Sequence, residues 1–222
     1  QWNSRGDGIP TGNEYDLQSV FLHELGHGLG FLSNDAYDPF FGLGSLDEPT
    51  PFDAYLQTID GRRLPDLPTP SKELGTALTT SLVWNGALGI KANGGIKPKM
   101  YTPARYEAGS STSHLDEATF SKAGLDSVMT PSLDPGEIFK EPGPLLLAMM
   151  EDMRSKPPAG IATDLPLSPR NVQAFTGDTS ALVSFDPPVN LRTAQISEYI
   201  VKNLKTGLEK KALSSPVLMT GL

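Results

Sequence analysis

Glycine and proline interrupt this chain from end to end, twenty-two of the first and twenty of the second in 222 residues. Proline fixes φ and donates no backbone hydrogen bond, and glycine loses the most conformational freedom when it is ordered. Their density leaves room only for short helices and strands joined by many turns, which predicts a loop-rich fold of mixed class. The hydrophobic fraction of 38% is low for one compact globule but far above that of a disordered chain. The length suits one large domain or two modest ones.

Within that punctuated text, one stretch reads as an uninterrupted helix. After a polar lead-in over residues 1–14, DLQSVFLHELGHGLGF begins at Asp16, whose carboxylate can take free N–H groups of a first turn. Leu17, Val20, Phe21 and Leu25 supply apolar residues at helical spacing, and Gly28 and Gly30 end the run. Residues 33–75 are loop-rich, with FDAYLQTIDGRRL expected to form a hairpin turning at Asp60-Gly61. A short helix and strand are expected within residues 73–88, then loop and extended chain up to His114. The segment 143–155 reads as a closing helix, with Pro144 in its first turn and Leu146, Met149, Met150 and Met153 as a core-facing stripe. These segments divide the chain into a first domain over 1–155, a proline-rich linker over 156–168 and a β-prone region over 169–222. In the last, NVQAF, ALVSF and ISEYIVKNL are separated by turn signals, and Ala181, Val183 and Phe185 share one face of a strand.

Several function classes are excluded or weakened. A net charge of -8 with a pI near 4.9 and no Lys/Arg cluster leaves no electrostatic footprint for nucleic acid. No run approaches the length and apolarity of a membrane span. The absence of cysteine removes disulfides and thiolate metal sites. Gln1 and Trp2 open no signal peptide, so a secreted protein of this sequence is expected to carry its targeting segment upstream or to have lost it. Nothing in the sequence specifies an oligomeric state.

The helix carries His23-Glu24-Leu25-Gly26-His27. Residues four apart share a helix face, so two imidazoles can converge on one ion. Glu24 stands beside the first of them, where a carboxylate can reach a metal-bound water without ligating the metal, take its proton, and return it to a leaving amine. Gly30 follows His27 by three residues, where a sharp turn below the metal needs it. Gly26 inside the helix reads either as a small residue facing the metal or as a point of close packing against chain below. A catalytic zinc commonly takes three protein ligands, and the remaining histidine of the chain is His114, in the polar run GSSTSHLDE. Fifteen residues later comes Met129, in Ser127-Val128-Met129-Thr130-Pro131.

With those residues in place, the chain resembles a metzincin of the leishmanolysin-like kind, on HELGHGLGF, SHLDEATF and SVMTP. LVWNGALGI and MYTPARYEAGSS add likeness to bacterial secreted relatives. The likeness covers roughly residues 15–155. It implies a zinc endopeptidase acting on protein or peptide substrates outside the cell, with His23, His27 and His114 as ligands, Glu24 as general base and Met129 as the turn methionine. The compact form of the pattern would put a histidine at residue 33, where this chain has Ser33. Leishmanolysin itself is disulfide-rich, whereas this chain has no cysteine. Such enzymes also place a twisted sheet before the zinc helix, and only 22 residues precede His23. The tail resembles the first half of a fibronectin type III domain, with Phe185 where tryptophan is usual and Tyr199 and Val201 on the next core strand. A full sandwich takes close to 100 residues. The expected fold is therefore α+β: a metzincin-like catalytic domain lacking most of its N-terminal sheet, plus a truncated all-β fibronectin type III-like sandwich with an exposed edge.

Other readings stay open at this stage. Glu48, Glu73 or Glu107 could serve as a third ligand in a gluzincin, and Asp35 or Asp38 in an aspzincin. A zinc-retaining fold without turnover is a further alternative. The aspartates between residues 34 and 53 offer oxygen ligands that calcium accepts, without an EF-hand pattern. Tyr101 and Tyr106 are candidates to stabilise an oxyanion. A non-catalytic, adhesive or matrix-binding module would use the fibronectin-like tail and Arg5-Gly6-Asp7.

Overall fold

The structure is a computed structural model and describes residues 2–3, 5, 9–11, 13–122, 124–155, 169–188 and 196–222. Gly6 and Asp7 of the Arg-Gly-Asp tripeptide, and the proline-rich segment 156–168, lie outside the described residues. The chain divides into two compact units, Gln1–Ile161 and Ala162–Leu222. Helices and short strands mix in an α+β arrangement, and each sheet is small.

In the first unit, β1 (Trp2–Asn3) pairs parallel with β2 (Tyr15–Asp16), which leads directly into α1 (Leu17–Gly28). Asp16 caps α1, its carboxylate accepting from Ser19 N at 3.0 Å and from the Ser19 hydroxyl at 2.6 Å. Phe139 N in turn donates to Ser19 Oγ, which fixes the start of the helix to a distant segment. Most of the apolar residues at helical spacing on α1 do not pack into the core. Leu17, Phe21 and Leu25 are exposed, and the fully buried helix positions are Ser19 and Gly26. Small residues let the helix approach the chain beneath it, and Leu22 is its apolar residue packed against the core.

Beyond α1, β3 (Ala36–Asp38) and β4 (Leu43–Ser45) form a hairpin against α2 (Lys72–Thr80). The expected Asp60-Gly61 turn is present, with Gly61 at φ +91 and Gly61 N donating to Thr58 O. Its returning arm, however, makes only the Gln57–Arg63 bridge. The main partner of β5 (Leu56–Thr58) is β6 (Leu82–Trp84), because Leu56, Leu82 and Trp84 then meet in the core. The hydrogen-bond relay continues outward. Met100 N donates to Leu82 O, Tyr101 N to His114 O, and Leu115 N to Met129 O, each within 2.8–2.9 Å. One ladder of extended chain thus joins the core strand β5 to the segments bearing His114 and Met129.

Two short helices follow the ladder's edges: α3 (Ala87–Ala92) and α4 (Glu117–Phe120). The closing helix is α5 (Pro144–Arg154), and Leu145, Leu146 and Met149 are buried on it. Asp152 of α5 is buried too. Its carboxylate accepts from Trp84 Nε1 at 3.0 Å, Leu88 N at 3.0 Å and Gly89 N at 2.8 Å, which caps α3 and locks α5 to β6. Phe31, Phe52, Tyr55 and Trp84 form an aromatic chain through this core, with centroids 4.7–5.2 Å apart.

The second unit is all β. The hairpin β7 (Arg170–Gly177) and β8 (Ser180–Asp186) turns through Thr179 at φ +48, and β11 (Val217–Thr220) pairs antiparallel on the other side of β8. A separate hairpin joins β9 (Tyr199–Lys202) to β10 (Glu209–Ala212). Phe185 packs on Tyr199 at 4.7 Å, with Val217 and Met219 buried. The sequence reading ended its strands at β9. Two more strands, β10 and β11, follow it, and β11 covers one edge of β8, whereas β7 is an edge strand among the described residues.

Candidate metal centre

The three histidines of the chain meet. His27 Nε2 lies 3.1 Å from His23 Nε2 and 3.2 Å from His114 Nε2, and His114 and His23 are 3.2 Å apart. Among the described residues this is the one group of three or more His, Cys, Asp or Glu side chains whose ligating atoms converge. Tetrahedral coordination at about 2.0–2.1 Å separates nitrogens by about 3.3 Å, so the spacing accommodates a metal ion.

Each imidazole is oriented from behind by a main-chain carbonyl. His23 Nδ1 lies 2.7 Å from Val128 O, His27 Nδ1 2.8 Å from Phe31 O, and His114 Nδ1 2.7 Å from Ser110 O. A carbonyl only accepts, so each Nδ1 carries the proton and donates it. That leaves Nε2 as a bare lone pair on all three rings when they are neutral. Burial lowers the pKa of His23, against the bond to Val128 O and with help from the nearby His27, while the Glu24 charge pulls slightly upward. Burial likewise pushes His114 down to about 4. Three lone pairs pointed at a common centre repel unless a cation lies among them.

Local sequence explains how each ring arrives. His23 and His27 follow from helix spacing. Gly30, at φ +109, reverses the chain after α1, so Phe31 N donates back to Gly26 O and Phe31 O reaches His27. Met129 is fully buried beneath the helix. A Cβ on Gly26 would lie 2.6 Å from Met129 Sδ, which identifies close packing as the reason for the glycine. His114 is buried rather than exposed as a lone loop histidine would be.

None of the alternative ligands joins the converging group, Glu48 being exposed and the other four engaged elsewhere. Glu73 pairs with Arg62, Glu107 accepts from Tyr101 OH at 3.0 Å, Asp38 accepts from Phe40 N, and Asp35 accepts from Tyr106 OH at 2.7 Å. Asp53 is buried, which raises its carboxyl pKa, and accepts from Thr50 N and Asn34 N. Asp35, Asp38 and Asp53 therefore serve loop hydrogen bonds, and no three of the aspartates between residues 34 and 53 gather as a group. The hydroxyls of Tyr101 and Tyr106 are likewise spent on carboxylates.

Glu24 is exposed on α1 beside His23, and it is not one of the converging ligands. A cleft of about 150 Å³ opens beside His23 and Glu24, walled by Val20, Val128, Leu133 and Phe139. A larger hollow of about 670 Å³ lies past the C-terminal end of α1, among Leu29, Leu32, Leu147 and Met150. It touches His27 but neither His23, Glu24 nor His114, so the smaller cleft is the one beside the chemical groups. Comparison with protein-family models, curated proteins and solved structures finds no match. Among the described residues, no helix is long and apolar enough to cross a membrane.

Proposed function

We propose that this chain is a zinc-dependent endopeptidase of the leishmanolysin-like metzincin kind, with His23, His27 and His114 holding the metal and Glu24 as general base. The observation that carries the reading is the meeting of three carbonyl-backed Nε2 atoms at 3.1–3.2 Å. Imidazole donors suit zinc among the first-row metals, and the buried methionine under Gly26 agrees with the turn methionine that the resemblance implies.

Zinc, when bound, supplies Lewis acidity, bringing the pKa of a water towards about 7 and polarising a carbonyl oxygen. The chain supplies the rest. Glu24, unencumbered by coordination, takes the proton of the attacking water and passes it to the leaving amine. The carbonyls of Val128, Phe31 and Ser110 hold the ligand rings in one tautomer, so the site needs no rearrangement before reaction. The cleft beside His23, with its apolar wall, favours a substrate side chain of modest size. On the same reading the enzyme works outside the cell, and the second unit is fibronectin type III-like.

Purified protein is expected to carry zinc and to hydrolyse a generic protein substrate such as casein. Activity should stop with a chelator and return with zinc. Glu24→Gln should lower the rate by about 10²–10⁴ while zinc content stays unchanged. Undiminished hydrolysis by Glu24→Gln, or a protein that takes up no zinc, would overturn the reading.

A further inference from the structure

Helix periodicity accounts for His23 and His27, but His114 sits in a loop whose backbone is unusual two residues earlier. Thr112 has φ +66, in the left-handed region that β-branched residues avoid. Such outliers persist only where their surroundings over-determine them, and they cluster at functional sites. Thr112 is fully buried, its N donates to Tyr101 O at 2.7 Å, and its hydroxyl donates to the Asp35 carboxylate.

We propose that Asp35 is a positioning residue for the metal centre: by holding Thr112 in this conformation, it sets the 110–114 loop so that His114 faces His23 and His27. The inference rests on the metal-centre reading above. Asp35 is not among the converging ligands, so it acts through Thr112. The turn at Thr112 brings Ser110 O back to His114 Nδ1, the bond that aims the ring. Asp35 is itself fixed from several sides. Tyr106 OH donates to Oδ1 at 2.7 Å, and Ser33 Oγ lies 2.5 Å from Oδ2. Burial and the adjacent Asp35 charge push the Tyr106 pKa up, so the phenol keeps the proton it donates. Ser33 Oγ also lies 2.5 Å from the buried Asp53 Oδ1, and Ser33 N donates to Ser113 Oγ at 3.1 Å. Ser33, three residues past Gly30, thus ties the chain leaving the helix to the loop carrying the third ligand.

The test compares Asp35→Asn, Thr112→Val and Thr112→Ser with the parent protein. Zinc affinity is measured by competition with a chromogenic chelator, and coordination is read from the visible absorption of the cobalt(II)-substituted protein. Circular dichroism checks that each zinc-free variant is folded. Thr112→Val, which removes one hydroxyl at constant shape, and Asp35→Asn should each weaken zinc binding by about 10–100-fold and alter the cobalt bands. Thr112→Ser should bind like the parent with unaltered bands. Parent-like affinity and bands in both Asp35→Asn and Thr112→Val overturn the inference and leave the metal centre standing. Weakened affinity with unaltered bands reports lost fold stability alone and overturns it as well. A parent protein that binds neither ion overturns the metal-centre reading itself.

Discussion

Helix α1 and the 110–114 loop deliver imidazoles to the same point by opposite means. On α1, residues 23 and 27 are brought together by 3.6-residue periodicity, in a helix bounded by its Asp16 cap and the Gly30 reversal. The loop has no periodicity to use. It reaches the same point through a left-handed threonine, a ladder to Tyr101 and Met129, and hydrogen bonds with Ser33 and Asp35, some eighty residues away. Local geometry is cheap to encode and shows in sequence; a long-range ligand needs a supporting network, and its placement should be the more fragile of the two.

The largest effect expected from this contrast is on ligand removal. His27→Ala and His114→Ala should each cost more zinc affinity than the roughly 10–100-fold typical of an outer-shell change, and both should abolish hydrolysis. A His114→Ala protein that retained its zinc and activity would remove the loop from the site and reopen the carboxylate alternatives. Next comes pH. In zinc-free protein, burial holds His114 down to about 4, whereas histidine in an unfolded chain titrates near 6.5. Between those values the unfolded chain binds protons that the folded loop refuses. This contribution to stability is intact above about pH 6.5 and is lost as pH falls towards 4, by about 1.4 kcal/mol per pH unit for a single histidine. Denaturant titrations across that window measure it, and a flat profile would mean that the folded loop takes up protons as freely as the unfolded chain.

The smallest effects separate two glycines of one helix. A Cβ at Gly26 would press on Met129 Sδ at 2.6 Å, whereas one at Gly28 meets nothing within 4 Å. Gly26→Ala should therefore destabilise the protein by about 1–3 kcal/mol through overpacking, despite its better helix propensity. Gly28→Ala should be neutral or stabilising, by no more than about 1 kcal/mol. Thermal unfolding of the pair decides whether the helix leans on the methionine turn, and stabilisation by both substitutions would break that picture.

Much of the site was legible because its chemistry is scarce. HExxH is a local pattern, and a chain with three histidines leaves His114 as the natural third. What escaped was what depends on distant partners. Nothing near Asp152 in sequence announces that it caps α3 and binds Trp84, sixty-odd residues away. Asp35 stood out as an alternative ligand because it is an aspartate in the right loop; its use is to hold Thr112, and no local signal marks a threonine destined for positive φ. The apolar spacing of α1 marks a helix, yet Phe21 on it is 68% exposed. Periodicity reveals that a stripe exists but not what it faces. In the tail, β10 escaped because EKKA carries no apolar alternation, and it forms by pairing with β9.

Val128, Phe31 and Ser110 orient the imidazoles through main-chain oxygen rather than through side chains. Every amino acid carries that oxygen, so the bond to the ring places no demand on the side chain at those three positions, and Phe31 and Val128 answer instead to the core in which they are buried. A substitution that keeps the backbone path leaves the bond to the ring in place, whereas a shift of the path itself, by insertion or deletion between residues 110 and 114 or 27 and 31, would disconnect a ring at once.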